Sequence, residues 1–395
     1  MTTATSLRVQ AVKPSPTLAI TAKAAELKAA GHDVVGLGAG EPDFPTPKHI
    51  CEAAITAIHN GQTRYTPVDG TPELKQAIQA KFKRDNQLEY DLDQILVSVG
   101  GKQSFFNLSM AMLDPGDEVI IPAPYWVSYP DMVLLGGATP IIVVADQTQN
   151  FKISPMQLRD SLTEKTKLVV LNSPSNPTGV AYTRAELTAL AEVLRQHRQV
   201  FIATDDMYEH ILWADEPFCN ILTVAPDLKD RTFVLNGVSK AYSMTGWRIG
   251  YAAGPREVIK AMKKVQGQST SNPCSISQAA AAAALNGPQD CIAEMNQAFR
   301  ARHDIVLAKL NTLPGVNCLP ADGTFYLFPN VQTAMQAAGF ETDVDFAADL
   351  LEHAGVALVP GSAFGLPGHL RLSFATSQAQ LDLAMQKLAN YLDKH

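Results

Sequence analysis

The sequence predicts an α/β fold, in which a mainly parallel sheet lies between helices and a smaller α+β unit sits beside it. Three observations predict it. Short β-rich runs alternate with amphipathic helical stretches through the middle of the chain. Towards the ends that alternation gives way to short strands mixed with long helices. At 395 residues, 46% of them hydrophobic, the chain is too long for one small domain and apolar enough to bury a large core.

From the N-terminus, Thr46-Pro47 and Thr71-Pro72 each read as a helix N-cap followed by proline at the first helical position, where a missing N–H costs nothing. Residues 95–99 are the first β-rich run, and Gly100-Gly101 opens a helix towards Leu113. Asp114-Pro115-Gly116-Asp117 is a turn into a strand at 118–121. Further strands are expected at 141–144, 168–171, 200–203, 232–235 and 249–252, giving a seven-stranded sheet. Helices separate them, such as 184–195 with Thr183 as its cap. The alanine run 279–284 has the composition of a buried helix. After Gly287-Pro288 a helix runs to about Leu313, followed by strands at 325–328 and 370–374 and helices at 343–353 and 378–393. The expected division is a large unit, 48–287, and a small one combining the N-terminal arm, 1–47, with residues 288–395.

Composition excludes several functions. The net charge is −7 with no basic block, which opposes nucleic-acid binding, since that needs clustered Lys and Arg. There is no apolar run of signal-peptide type at the start and none long enough to span a membrane. Five cysteines, odd in number and free of CxxC pairs, read as reduced thiols of a cytoplasmic protein, mostly filling core. Nine histidines show no ligand-like spacing, so no metal is expected. Two glycine motifs mislead. Gly36-Leu37-Gly38-Ala39-Gly40 fails as a dinucleotide fingerprint because Glu41 stands where the third glycine belongs, which disfavours a nicotinamide-dependent dehydrogenase. Gly101-Lys102 fails as a P-loop because Leu96 and Gln103 occupy required positions.

The informative segment is 236–251, with Lys240 just beyond a predicted strand, at the edge where open α/β sheets place their ligands. A lone lysine there is ordinarily a solvated charge. Ser239 and Arg248, however, add donors suited to an anion, and Trp247 and Tyr251 point to a partly enclosed setting.

This segment resembles the cofactor-lysine region of class I pyridoxal-phosphate aminotransferases, most closely the bacterial 1-beta subgroup of aspartate aminotransferases. The likeness extends along the chain, in the family's order, through the motifs at 9–15, 39–44, 64–70, 124–130, 176–179 and 369–373. It implies the fold-type I architecture, pyridoxal 5'-phosphate as cofactor, and a homodimer with active sites at the interface. It also implies Lys240 as the amine that carries the cofactor and then moves protons as general acid and base. Asp205 would face the pyridine nitrogen, with Asp206 as its competitor; Tyr208 and Asn176 would share the phenolic oxygen; Trp126 would stack on the ring. Gly100, Gly101, Ser239 and Arg248 would hold the phosphate, with Tyr65 reaching across from the partner subunit. Arg371 would bind the substrate's α-carboxylate with the Gly40 N–H, and Lys102 its second carboxylate. Trp126 and Asn176 would also border the substrate, and Lys13 is the subgroup's lysine for prephenate. The function implied is amino transfer between aspartate or glutamate and 2-oxo acids, with prephenate as a further acceptor. The alternatives are another fold-type I enzyme, such as an aromatic or alanine aminotransferase or a C–S lyase, and a non-catalytic cofactor-binding module.

Overall fold

The computed structural model describes residues 4–14 and 16–394, so Ser15 of the first motif lies outside the described residues. Strand β1 (Val35–Gly36) precedes seven strands of one sheet: β2 (Ile95–Ser98), β3 (Glu118–Ala123), β4 (Thr139–Val144), β5 (Thr166–Asn172), β6 (Phe201–Asp205), β7 (Thr232–Gly237) and β8 (Gly250–Ala253). After them come β9 (Tyr326–Leu327), β10 (Val356–Ala357), β11 (Val359–Pro360) and β12 (Leu370–Ser373). The large sheet has the order β2-β8-β7-β6-β5-β3-β4. β8 pairs antiparallel with both neighbours, and the other pairings are parallel.

Strand periodicity builds a core on each face of this sheet. Ile95, Val97, Ile120, Val169, Ile202 and Val234 point to one side, against the helices Lys48–His59, Pro72–Lys81, Arg184–Arg195 and Ser275–Asn286. The alternate residues Leu96, Val119, Leu168, Ala203 and Phe233 point to the other, against Gly101–Met112, Tyr129–Leu135 and Arg256–Ser269. A further core gathers Val35, Leu37, Phe299, Phe325, Leu372 and Leu388 around β9–β11–β12 and the helices Asp290–Leu310 and Gln378–Leu392. β1 joins this part by pairing with β10.

Local signals held where side chain and backbone agree. Thr183 caps Arg184–Arg195 in a capping box with Glu186, and Thr71 caps Pro72–Lys81. Thr46 does not cap. Pro47 takes the N-cap place of Lys48–His59, and the Thr46 hydroxyl instead donates to the Ser243 carbonyl (2.7 Å) and accepts from Trp247 Nε1 (2.9 Å). The helix expected at 343–353 keeps α geometry over Asp343–Asp349 and widens to a π turn over Leu350–Ala354, ahead of Gly355 at φ 68°. Only Cys219 and Cys318 are buried, so most of the cysteines are not core filler.

One close approach positions the site. Gly250 begins β8, and a Cβ there would run into the backbone of Gly100 and Gly101, the start of the helix Gly101–Met112. Gly250→Ala should therefore destabilise the fold by about 1–3 kcal/mol through overpacking. Urea unfolding checks this, and an unchanged midpoint would show that the helix start yields freely.

Candidate active site

The parallel strands end on one edge, and their last residues converge there. Asn172 closes β5 and Asp205 closes β6, while Lys240 follows β7 and Trp126 follows β3. Because β8 runs the other way, its beginning lies at the same edge, which brings Arg248 to the site. Arg371 on β12 and Gly40 after β1 approach from the opposite side. Together they line a cavity of about 380 Å³ with Gly101, Lys102, Asn176, Tyr208 and Ser239.

Lys240 donates from Nζ to the Gly40 carbonyl at 2.5 Å. Burial, reinforced by the Arg371 and Arg248 charges, pulls its pKa down to about 8, against the opposing pull of Glu41 and Asp205. Asp205 is held in place by the Tyr129 phenol, which donates to Oδ2 at 2.5 Å, and by the Met207 N–H at 3.2 Å. Burial raises the Asp205 pKa against these hydrogen bonds and the Lys240 charge. Asp206, its competitor, points away into the protein, accepting from Thr204 Oγ1 (2.6 Å) and Asn220 Nδ2 (2.7 Å). The choice between the two acids is thus one of direction, set by strand alternation.

Arg371 is only 2% exposed. Its guanidinium donates to Asn176 Oδ1 (2.9 Å) and the Gly38 carbonyl (2.6 Å), lies 4.5 Å from the Tyr326 ring centroid, and leaves Nε without a hydrogen-bond partner among the described residues. Within the run Gly36–Gly40, the Gly38 carbonyl thus accepts from Arg371 and the Gly40 carbonyl from Lys240. Tyr208 and Tyr326 share a hydrogen bond between hydroxyls at 3.0 Å. Arg248 donates to the Thr245 and Val99 carbonyls (2.8 and 3.4 Å) and, among the described residues, to no carboxylate. It packs against Gly100, whose φ of 84° and absent Cβ leave room for the guanidinium. Lys102 Nζ lies 5.2 Å from the Trp126 ring centroid, and burial and Arg248 lower its pKa.

Not every expected residue is here. Tyr65 is 92% exposed and Lys13 is also exposed, and neither lines the cavity of its own chain. Gly100 supports Arg248 from outside the lining. Trp247 and Tyr251 do not enclose the site either: one bonds Thr46 and the other is buried against Phe82. Sequence reasoning missed Tyr129, Asn172, Tyr326 and Glu41, all of which line the cavity. Asn172 carried a signal, as a polar residue closing a predicted apolar strand; Tyr326 carried none, because it read as strand filler.

The family aminotransferase class I and II matches residues 32–388. The chain belongs to that family. It is 57% identical over 393 residues to the aspartate/prephenate aminotransferase of Nitrosomonas europaea, covering 98% of this chain and 99% of the relative. It is 51% identical over 388 residues to the aspartate aminotransferase of Bacillus subtilis, covering 98% of each. Among solved structures, the aspartate aminotransferase from Rhizobium meliloti superposes with a TM-score of 0.95 at 49% identity, covering 99% of both chains. That of Thermus thermophilus with maleate gives 0.92 at 44% identity, covering 98% of this chain and 99% of that one. The aminotransferase fold and class expected from the sequence are those found.

The depressed lysine has a thermodynamic signature. In the unfolded chain Lys240 titrates near 10.5, and in the fold near 8. Between those values the unfolded state binds more protons, so stability rises with pH across that window. Without added cofactor, Lys240→Met should remove this rise and be more stable than the wild type near pH 7. Urea midpoints at about pH 7 and pH 10 check it, and parallel curves for the two proteins would contradict it.

Proposed function

We propose that this aminotransferase carries pyridoxal 5'-phosphate on Lys240 and moves an amino group reversibly between aspartate or glutamate and the 2-oxo acids oxaloacetate and 2-oxoglutarate. One observation carries the reading: a lysine amine with a depressed pKa, a carboxylate beside it and two separate arginine sites for anions meet in one cavity. The residues fit the cofactor. The helix Gly101–Met112 offers unpaired N–H groups and the positive end of its dipole to a phosphate, beside Arg248 and Ser239. Asp205 would hold the ring nitrogen's proton, Tyr208 and Asn176 the phenolic oxygen, and Trp126 one face of the ring. Bound there, the cofactor supplies an electron sink for charge at the substrate's α-carbon.

The chain's own groups do the rest. Lys240, whose pKa of about 8 makes the neutral amine accessible near physiological pH, takes and returns the α-proton. Arg371 fixes the α-carboxylate through a planar fork, already oriented by Asn176 and Gly38, and Gly40 borders the same place. Lys102, at the cavity wall beside Trp126, meets a second carboxylate, which favours dicarboxylic substrates.

Tyr65 and Lys13 are exposed and lie outside the cavity of their own chain, so in this reading they would reach a site only from a second copy, in a homodimer with shared active sites. Exposed Leu7, Val9, Ile55 and Ile58 supply apolar surface for it. The same reading gives a large unit, 48–287, carrying Lys240 and Asp205, and a small one, 1–47 with 288–395, carrying Gly40 and Arg371. Unpaired cysteines accord with a cytoplasmic setting. Prephenate as a second acceptor is favoured by Lys13 and by the Nitrosomonas relative's name.

Half-reactions with aspartate, glutamate, arogenate, phenylalanine and alanine test the reading. Aspartate and glutamate should be good donors, and Lys240→Ala should abolish transfer. Poor turnover of aspartate beside rapid turnover of phenylalanine or alanine would overturn the substrate assignment. Lys102→Met should weaken kcat/KM for aspartate by roughly tenfold to a hundredfold, the worth of a charged hydrogen bond, with little effect on alanine. Equal losses on both would remove Lys102 from the substrate site. Tyr129→Phe, which strips Asp205 of its phenolic donor, should weaken pyridoxal phosphate binding by about tenfold or more in an absorbance titration. Unchanged affinity would make that hydrogen bond irrelevant to the cofactor.

A further inference from the structure

Behind the cavity lies a buried polar cluster that the chemistry above does not use. Glu209, next to Tyr208, is 5% exposed, and its ion-pair partner Lys81 is 1% exposed. Glu209 Oε1 also accepts from Asn236 Nδ2 at 2.7 Å, and Oε2 accepts from Asn86 Nδ2 at 2.8 Å. Lys81 donates to Asn86 Oδ1 at 2.7 Å, closing a ring of contacts. His210 Nε2 faces Glu209 (3.4 Å) and Asp85 (3.5 Å). Burial works to raise the Glu209 carboxyl, but Lys81, His210 and Asn86 together hold it down at about 2.

The placement of this cluster matters. β6 and β7 stay in register as far as Asp205 and Leu235, and one more backbone bond, from the Asp206 N–H to the Leu235 carbonyl (2.9 Å), ends the ladder. Past that point the two chains separate, one leading to Tyr208 and the other to Lys240. The Asn236 carboxamide spans the gap: its Nδ2 reaches Glu209 and its Oδ1 accepts from the Gly237 N–H at 2.7 Å. A side-chain bridge thus takes over where the backbone ladder stops.

We propose that Glu209 is a positioning residue: through Asn236 it ties the segment bearing Tyr208 to the strand end bearing Lys240, and Lys81 and Asn86 hold that tie in place. A buried ion pair is a weak source of stability, since apolar residues often serve as well, whereas fixing one arrangement of two diverging loops is a task for directional bonds. The proposal rests on the reading of Lys240 and Tyr208 as site residues.

The test uses the full chain with Asn236→Ala, Glu209→Gln, and Glu209→Gln combined with Lys81→Met, which removes the buried charge that has lost its Glu209 partner and keeps only Asp85, 3.9 Å away, as an ion-pair partner among the described residues. Lys240 is titrated without cofactor from the pH dependence of its labelling by trinitrobenzenesulfonate, read by mass spectrometry at its own peptide. Pyridoxal phosphate affinity is measured in parallel. All three variants should shift Lys240 upward from about 8 towards the ordinary lysine range and bind pyridoxal phosphate tenfold or more weakly, even where the double variant regains thermal stability. Folded variants that keep the wild-type titration and affinity would overturn the proposal and leave the cluster a purely structural one. If Asn236→Ala does not fold, the nearly isosteric Glu209→Gln and its double variant decide. If the wild type itself binds no pyridoxal phosphate, the cofactor assignment fails, and the Lys240 titration still decides this proposal.

Discussion

Holding the amine of Lys240 out of water beside two arginines is the constraint on which this site depends. Burial makes the charges of Lys240 and Arg371 costly there, and Arg248 and Lys102 add two more cations to the same wall. Asp205 and Glu41 are the acids lining the cavity, and Asp205 already has the Tyr129 phenol and the Met207 N–H. The surplus positive charge makes the cavity a receptor for anions. Burial, reinforced by the arginine charges, brings the Lys240 amine to a pKa of about 8, so that it loses its proton slightly above neutral pH.

The sheet makes that crowding geometrically feasible. Parallel strands deliver Asn172, Asp205 and Lys240 to one edge, and the single reversed strand β8 delivers Arg248 to the same edge. The arginine can sit there because Gly100 and Gly250 let backbone and guanidinium approach where any side chain would collide. From the other side, β12 and the segment after β1 bring Arg371 and Gly40 in as a pair already bonded to site residues: Arg371 to Asn176, and the Gly40 carbonyl to Lys240. Those two contacts join the part of the fold around β9, β11 and β12 to the edge of the large sheet across the cavity.

Much of this was legible along the chain. The seven strands, the Thr183 and Thr71 caps and the helix opened by Gly100-Gly101 all rest on interactions local enough to be written in a few consecutive residues. Thr46 was misread because a tertiary partner, Trp247, competes for the same hydroxyl. Trp247 and Tyr251 were misassigned because nearness in sequence to the lysine does not say which tertiary partner an aromatic meets: Trp247 bonds Thr46, and Tyr251 packs on Phe82. Tyr129 and Tyr326 were overlooked for the converse reason, since their importance comes from groups far away in the chain, Asp205 and Arg371.

The sequence by itself determined the fold class, because periodicity, turn chemistry and motif order are properties of neighbouring residues, and its likeness to a known family singled out Lys240 and the charged groups proposed to serve it. It favoured Asp205 over Asp206 only through that likeness, and it could not determine that Arg371 is braced by Asn176 and Gly38 or that a carboxamide bridges two separating strands. Those were decided only by tertiary structure. Direction, burial and pKa depend on what the rest of the chain places within a few ångströms, and no local pattern records that.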